Sequence, residues 1–200
     1  VENLNNKYAR YIGLHHFWKI KRDIFKKRKV DLNNLWWSEG FSVKRNLALK
    51  TSLFPSNFSI PIVAGEDVAF VNELRKLNCK AFFDQKIIVK HYAPDTFLEF
   101  WHTRVGRGEG TPQIRSFIDK WSLKKIFIAI TLKSLIRLTK FLTILPMMIY
   151  SIRLAQFSNE RNYISEVLIL AQLWFIEQLA FSFGEFKSLF NLIIERGKND

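Results

Sequence analysis

Residues 65–91 have the sequence GEDVAFVNELRKLNCKAFFDQKIIVKH. Between residues 67 and 77 the apolar side chains recur at helical spacing, which predicts a helix, and Asn78 is suited to the left-handed turn that ends one. Residues 80–84 and 86–90 are short and rich in apolar or β-branched side chains, a composition that favours strands. The stretch therefore predicts a helix followed by two strands, and with it an α/β unit.

The whole chain has 200 residues, enough for one domain with a helical extension. Its formal net charge of +13 favours an anionic partner such as nucleic acid, anionic lipid or a phosphorylated ligand. Cys79 is the only cysteine, so no disulfide can form within the chain. The chain has no signal-peptide pattern and begins at Val1 without a methionine, which leads us to expect a piece of a longer protein.

Two adjacent carboxylates, Glu66 and Asp67, stand where a loop enters the predicted helix. The positive end of the helix dipole favours their ionised forms. In a catalytic arrangement, one carboxylate removes a proton from an attacking hydroxyl while the other orients neighbouring groups. The alternative is that both residues serve only to start the helix.

Five short motifs keep one order along the chain. They are Gly40-Phe41-Ser42-Val43-Lys44-Arg45, Gly65-Glu66-Asp67-Val68, Leu74-Arg75-Lys76-Leu77, Val89-Lys90-His91 and Arg104-Val105-Gly106-Arg107-Gly108. Together, over roughly residues 38–110, they resemble the second half of the catalytic domain of family 2 inverting glycosyltransferases. Two features depart from the family pattern. Phe41 stands where the family usually has a small polar residue, and the upstream Asp-x-Asp metal motif does not occur in the chain.

The resemblance implies that residues 1–111 form an incomplete GT-A-like catalytic domain, the acceptor-side half of an α/β fold. It implies transfer of a sugar from a nucleotide-diphosphate donor to an acceptor hydroxyl, with inversion at the anomeric carbon. Asp67 corresponds to the catalytic base and Glu66 to its partner, and Gly40 and Gly65 belong to substrate-binding loops. Because the donor-binding half is missing, we expect the chain to be inactive on its own.

Arg104, Arg107 and Gly108 correspond to the segment that closes the site in this family. A guanidinium group can donate two parallel hydrogen bonds to phosphate oxygens, and glycine lets the backbone approach the phosphate closely. We therefore expect these residues at the donor diphosphate. The alternative is a basic connector to the rest of the chain.

His91 stands where some relatives have a metal ligand or a diphosphate contact. The resemblance therefore implies a divalent cation, Mg²⁺ or Mn²⁺, whose ligands lie mostly outside this chain. The alternative is a structural histidine at the end of a strand.

Residues 112–200 are expected to form an all-α, amphipathic tail that associates with a membrane. Between residues 123 and 152, one side of a helical wheel is rich in Leu, Ile and Phe, and the other carries Lys125, Lys133, Arg137 and Lys140. This pattern is typical of a helix that lies in a membrane surface. The longest uncharged run, residues 141–152, is interrupted by Pro146 and is too short to span a bilayer. Peripheral or monotopic attachment to the cytoplasmic face is therefore favoured over a transmembrane helix. The alternative is a soluble protein in which these helices pack on one another.

The leading hypothesis is a glycosyltransferase fragment that uses a nucleotide-sugar donor and a lipid or glycan acceptor at an anionic membrane surface. The alternative is a basic, non-enzymatic, peripheral membrane-binding module.

Residues 1–30 predict an amphipathic helix or a pair of helices, and their basic run is either a solvated face or a patch that binds lipid headgroups or phosphate. Nucleic acid is not expected as a partner, because no recognised motif interleaves the basic residues with exposed aromatic ones.

Overall fold

The computed structural model describes residues 1–23, 29–30, 40–54, 60–82, 84, 89–158 and 160–198. Helices dominate this part of the chain. In order they are α1 (Lys7–Asp23), α2 (Arg45–Ala48), α3 (Glu66–Lys76), α4 (Phe97–Phe117), α5 (Leu123–Thr143), α6 (Leu145–Ala155) and α7 (Tyr163–Gly197). Two strands of two residues each, β1 (Lys29–Val30) and β2 (Ala81–Phe82), pair antiparallel.

The expected α/β fold, the acceptor-side half of a GT-A domain, is wrong. Helices account for 69% of the structure, and the pairing of β1 with β2 is all the strand pairing found in the described ranges. A strand of two residues is well below the usual length of about five or six, so it cannot provide the sheet layer on which the helices of an α/β fold pack. Of the two predicted strands, residues 80–84 contain only β2, and residues 85–88 lie outside the described part. The fold is mainly α-helical.

Helix α3 agrees with its sequence prediction. Its buried side chains are Ala69, Phe70, Val71 and Leu74. Asn78 has a φ of +53°, its N–H donates to the Arg75 carbonyl at 2.9 Å, and the Cys79 N–H donates to the Leu74 carbonyl at 3.2 Å. This pair of bonds is a Schellman turn, so the predicted left-handed stop at Asn78 is confirmed.

Helix α4 runs through residues 111 and 112, where the sequence predicts a boundary between a catalytic domain and a helical tail. Thr96 caps the start of α4 by accepting a hydrogen bond of 3.2 Å from the Glu99 N–H. Pro112 lies inside the helix and removes one backbone donor from it. The segment 104–108, expected to close an active site, also belongs to α4. The change in composition at Pro112 therefore does not coincide with a break in secondary structure.

The predicted helix between residues 123 and 152 is divided into α5 and α6. Ile144 separates the two helices with a φ of +55°, and Pro146 follows in the first turn of α6, where its missing N–H costs little. The side chains of Ser122 and Asn162 cap α5 and α7 by accepting hydrogen bonds from backbone N–H groups three residues ahead.

Helices α4 and α7 approach each other backbone to backbone. A Cβ atom at Gly108 would lie 2.2 Å from the Phe181 carbonyl oxygen, and one at Gly184 would lie 2.1 Å from the Val105 carbonyl oxygen. Only glycine permits such distances. Gly108 of the segment 104–108 thus has a packing role in this structure.

The main core lies where α1 and α6 pack on α7, together with Phe100 of α4. The amphipathic helix predicted near the amino terminus is confirmed as α1, whose Tyr11 and Ile12 are buried in this core. A second, smaller cluster joins α5 to α7 through Ile126, Ile130 and Leu189. Helix α7 is therefore the element on which the other long helices assemble.

Candidate functional site

The loop of residues 61–65, which leads into Glu66 and Asp67, is fixed to helix α4. The buried side-chain amide of Gln113 bonds this loop twice. Its Nε2 donates to the Pro61 carbonyl at 3.1 Å, and its Oε1 accepts a hydrogen bond of 2.9 Å from the Val63 N–H. Buried, reciprocally satisfied bonds of this kind specify one arrangement, so the loop is held in a defined position on α4.

Glycines bring the same loop into direct contact with α4. A Cβ atom at Gly110 would lie 2.0 Å from the Ala64 carbonyl oxygen. Gly65 has a φ of +98°, which favours glycine, and Ile114 of α4 packs against it. The start of α3 therefore rests on the carboxy-terminal half of α4.

Glu66 and Asp67 occupy the first turn of α3, and both are half-buried. Asp67 Oδ1 accepts a hydrogen bond of 2.8 Å from the Val68 N–H. Glu66 Oε2 is buried and has no hydrogen-bond partner among the described residues. A buried carboxylate oxygen without a partner costs free energy, so this atom is suited to accept a hydrogen bond from a bound molecule.

Phe41 lies beside the same helix, and the neighbouring Gly40 lies against Val89. Gly40 has a φ of +72°, and a Cβ atom there would come within 2.9 Å of the Val89 side chain. The Phe41 ring meets the Phe70 ring of α3 edge to face, with 6.2 Å between centroids. Phe41, which departs from the family pattern, thus packs against α3.

His91 is tied to the amino terminus of the chain. Its carbonyl accepts a hydrogen bond of 3.0 Å from the Glu2 N–H. Within the described ranges no hydrogen bond joins it to Glu66 or Asp67, and no group of three or more His, Cys, Asp or Glu side chains is arranged to hold a metal ion. The expected divalent cation at His91, whose ligands would lie mostly outside this chain, stays a prediction.

Arg104 faces the interior between α4 and α7, whereas Arg107 is exposed. The Arg104 side chain is almost fully buried; its Nε lies 3.2 Å from Glu177 Oε1, and its guanidinium group stacks over the Phe100 ring at 5.1 Å. The charge of Arg107 also acts on Glu177. In this structure Arg104 is therefore engaged with α7 and does not line an open cleft.

The Glu177 carboxylate also accepts a hydrogen bond of 2.5 Å from the Tyr11 hydroxyl of α1. Burial, and next the charge of Glu177, raise the pKa of Tyr11 well above its ordinary value. His15, one turn along α1, bonds the hydroxyl of Tyr150 in α6. This buried polar cluster joins α1, α4, α6 and α7.

Three glutamates of α7 each pair with an arginine from a different helix. The pairs are Glu166 with Arg10 of α1 at 2.9 Å, Glu177 with Arg104 of α4 at 3.2 Å and Glu185 with Arg137 of α5 at 2.5 Å. The hydrogen bond to Glu166 raises the pKa of Arg10. The sequence signal for these residues is single glutamates 11 and then 8 residues apart in a mostly apolar helix, but the sequence does not name their partners.

The outer surface of α5, α6 and α7 combines exposed apolar side chains with exposed lysines such as Lys124 and Lys140. Large hydrophobic side chains with about half or more of their surface exposed include Phe127, Leu132, Leu138, Leu142, Leu145, Ile164, Leu168, Phe183 and Phe190. We call this set the apolar band. Large exposed apolar patches mark interaction surfaces, which makes the apolar band a candidate for one.

Helix α7 is the one helix in the described part of the chain that is long and apolar enough to cross a membrane, judged by length and composition. A third of its most apolar window is buried inside the protein. The helix is consistent with membrane association. Comparisons with protein-family models, with curated proteins and with solved structures each find no match to the chain.

Proposed function

We propose that the chain is part of a membrane-associated enzyme that transfers a sugar, with inversion, from a nucleotide-diphosphate donor to a hydroxyl of a lipid or glycan acceptor. The observation that carries the proposal is the Glu66–Asp67 pair at the start of α3, on a loop that Gln113 and Gly110 hold against α4. A catalytic group needs such support, because small displacements of a reacting group cost large factors in rate.

In this proposal Asp67 is the general base. Its carboxylate takes the proton of the acceptor hydroxyl while the hydroxyl oxygen attacks the anomeric carbon. The bond from that carbon to the donor diphosphate breaks at the same time, and the diphosphate leaves with the electron pair. Attack opposite the leaving group inverts the configuration.

Glu66 would orient the acceptor. Its Oε2 is buried without a hydrogen-bond partner among the described residues, so a second hydroxyl of the acceptor would satisfy it. Arg104 acts as a positioning residue: its ion pair with Glu177 holds α4 on α7, and α4 in turn holds the loop.

The apolar band supports attachment to a membrane. With the net charge of +13, it favours peripheral or monotopic binding to an anionic membrane surface on the cytoplasmic side, where a lipid-linked acceptor is within reach.

The test is an assay of sugar transfer by the natural protein that contains this chain. Asp67→Asn should lower the rate by about 10²- to 10⁴-fold, the range for loss of a general base, with an unchanged circular dichroism spectrum. Asp119→Asn is the matched control, since Asp119 is an exposed aspartate beyond the end of α4, and it should keep full activity. A folded Asp67→Asn variant that retains more than about a tenth of the rate would exclude Asp67 as the base.

A non-enzymatic, basic membrane-binding module is the second candidate, and the apolar band together with the net charge favours it. The two candidates differ in one result. A module of this kind binds anionic vesicles in a salt-dependent way, and the natural protein then transfers no sugar with any Asp67 variant or with the parent sequence.

A further inference from the structure

A cleft of about 430 Å³ opens on the side of the helical unit, between the end of α5, α6 and the first half of α7. Its walls are Phe141 from α5, Ile144 from the junction, Met147 and Met148 from α6, and Leu168 and Phe175 from α7. The cleft lies away from the Glu66–Asp67 loop, which rests on α4.

The chemistry of the walls selects an apolar ligand. Gln172 is the one side chain with a hydrogen-bonding amide in the lining, and it is exposed. A polar ligand would lose its bonds to water here and gain almost none in return. The flexible side chains of Met147 and Met148 adapt to ligands of irregular shape.

The mouth of the cleft belongs to the apolar band. Leu168 is 58% exposed, and Leu142 and Leu145, which flank the junction between α5 and α6, are 75% and 63% exposed. Between them Ile144, a β-branched residue, has a φ of +55°. Backbone of this kind is strained, and Ile144 itself lines the cleft.

We propose that this cleft binds one acyl chain of a membrane phospholipid. The inference rests on the membrane association in the proposed function and not on sugar transfer. An acyl chain is the occupant that fits, because the surface around the mouth is the surface that a bilayer would cover, so a chain can enter without crossing water.

The test uses the full chain with vesicles of phosphatidylcholine and phosphatidylglycerol in which one acyl chain carries a photoactivatable diazirine. Flotation of the vesicles measures membrane binding, and mass spectrometry after illumination locates the labelled residues. We expect labelling to be concentrated on Met147, Met148 and Phe175.

Gln172→Trp, which fills the mouth of the cleft, should lower labelling of the two methionines by at least about fivefold, since a tryptophan ring occupies much of such a cavity. Leu179→Trp, on an exposed part of α7 outside the cleft, is the matched control and should not change it.

The outcomes separate the two levels of the proposal. A chain that floats with the vesicles but is labelled evenly over α5 and α7 overturns the cleft and leaves membrane association standing. A chain that does not float overturns both. Loss of labelling on addition of a long prenyl alcohol, with no loss on addition of unlabelled phospholipid, would assign the cleft to a different lipid and overturn the acyl chain as its occupant.

Discussion

Helices α3 and α5 are both amphipathic, but they turn different side chains inward. Helix α3 buries Phe70 and Leu74 and exposes Arg75, as expected for a helix that packs on one side and faces water on the other. Helix α5 buries Ile126 and Ile130 and directs Arg137 to Glu185 of α7. Its apolar side chains Phe127, Leu132, Leu135, Leu138 and Leu142 are exposed.

This difference indicates that α3 is suited to water and α5 to contact with lipid. An arginine directed into a helical unit and leucines directed out of it are typical of a protein in contact with lipid, where charged side chains pair with each other in the interior. In our proposal, α3 with its loop faces water and presents Asp67 to the substrates, whereas α5, α6 and α7 hold that region at the membrane.

The largest expected effect is on the free energy of unfolding, when a phenylalanine is replaced by alanine in each of the two regions. Phe70 of α3 is 3% exposed and Phe190 of α7 is 63% exposed. Phe70→Ala should lower the free energy of unfolding by about 4 kcal/mol, through lost burial and a cavity. Phe190→Ala should leave it within about 0.5 kcal/mol, as for surface changes. Guanidinium unfolding in mild detergent measures both, and equal losses would remove the distinction between the regions.

The next effect concerns the inward charge of α5. Arg137→Met leaves the fully buried Glu185 without its partner, and loss of one member of a buried pair costs about 3 kcal/mol or more. The double variant Arg137→Met, Glu185→Met should recover much of that loss, since apolar residues of similar volume can replace a buried ion pair. If the single variant is as stable as the parent in the same unfolding assay, the inward orientation of Arg137 is contradicted.

A smaller effect tests the loop that carries the carboxylates. Gly110→Ala places a methyl group about 2 Å from the Ala64 carbonyl oxygen and should destabilise the protein by about 2 kcal/mol, in the range for overpacking. Gly106→Ala is the control in the same helix, because its Cβ would lie 3.4 Å from the Val63 side chain, an ordinary contact. That variant should be neutral or slightly stabilising through higher helix propensity. Thermal unfolding should give a lower melting temperature for Gly110→Ala than for Gly106→Ala. Equal melting temperatures, or the reverse order, would contradict the close contact between Gly110 and the loop.

The smallest effect concerns the outer surface. Leu142→Ser removes a leucine that is 75% exposed in the apolar band and should weaken binding to anionic vesicles about tenfold, less than the full value of burying a leucine. Leu49→Ser, just after α2, removes a leucine that is 62% exposed outside the band and should leave binding unchanged. Equal affinities for the two variants in a flotation assay would show that the band is not the surface that meets the membrane.

The sequence predicted α1 and α3 but not α4, which runs through the expected domain boundary. The stripe of α3, its stop at Asn78 and the amphipathic α1 follow from the spacing of side chains over one or a few turns. The sheet was wrong because short β-branched runs become strands only when partner strands are available, and the described residues supply a single pair.

The long-range features could not be predicted from spacing. Nothing local in the segment 104–108 indicates that Gly108 meets the Phe181 carbonyl or that Arg104 pairs with Glu177. The glycines and arginines of that segment fit a phosphate-binding loop and a close helix crossing equally well. Only the position of α7, whose contacting residues lie 73 positions further along the chain, separates these two interpretations.

The most direct test of the account is the accessibility of single spin labels in vesicle-bound protein, in a Cys79→Ser background. Labels at positions 135, 138 and 142 of α5 should be reached readily by oxygen, which concentrates in lipid, and poorly by a water-soluble nickel complex. Labels at positions 44 and 76, on the α3 side, should give the reverse. Labels on α5 as accessible to nickel as those on the α3 side would contradict the claim that α5 turns its apolar side to lipid.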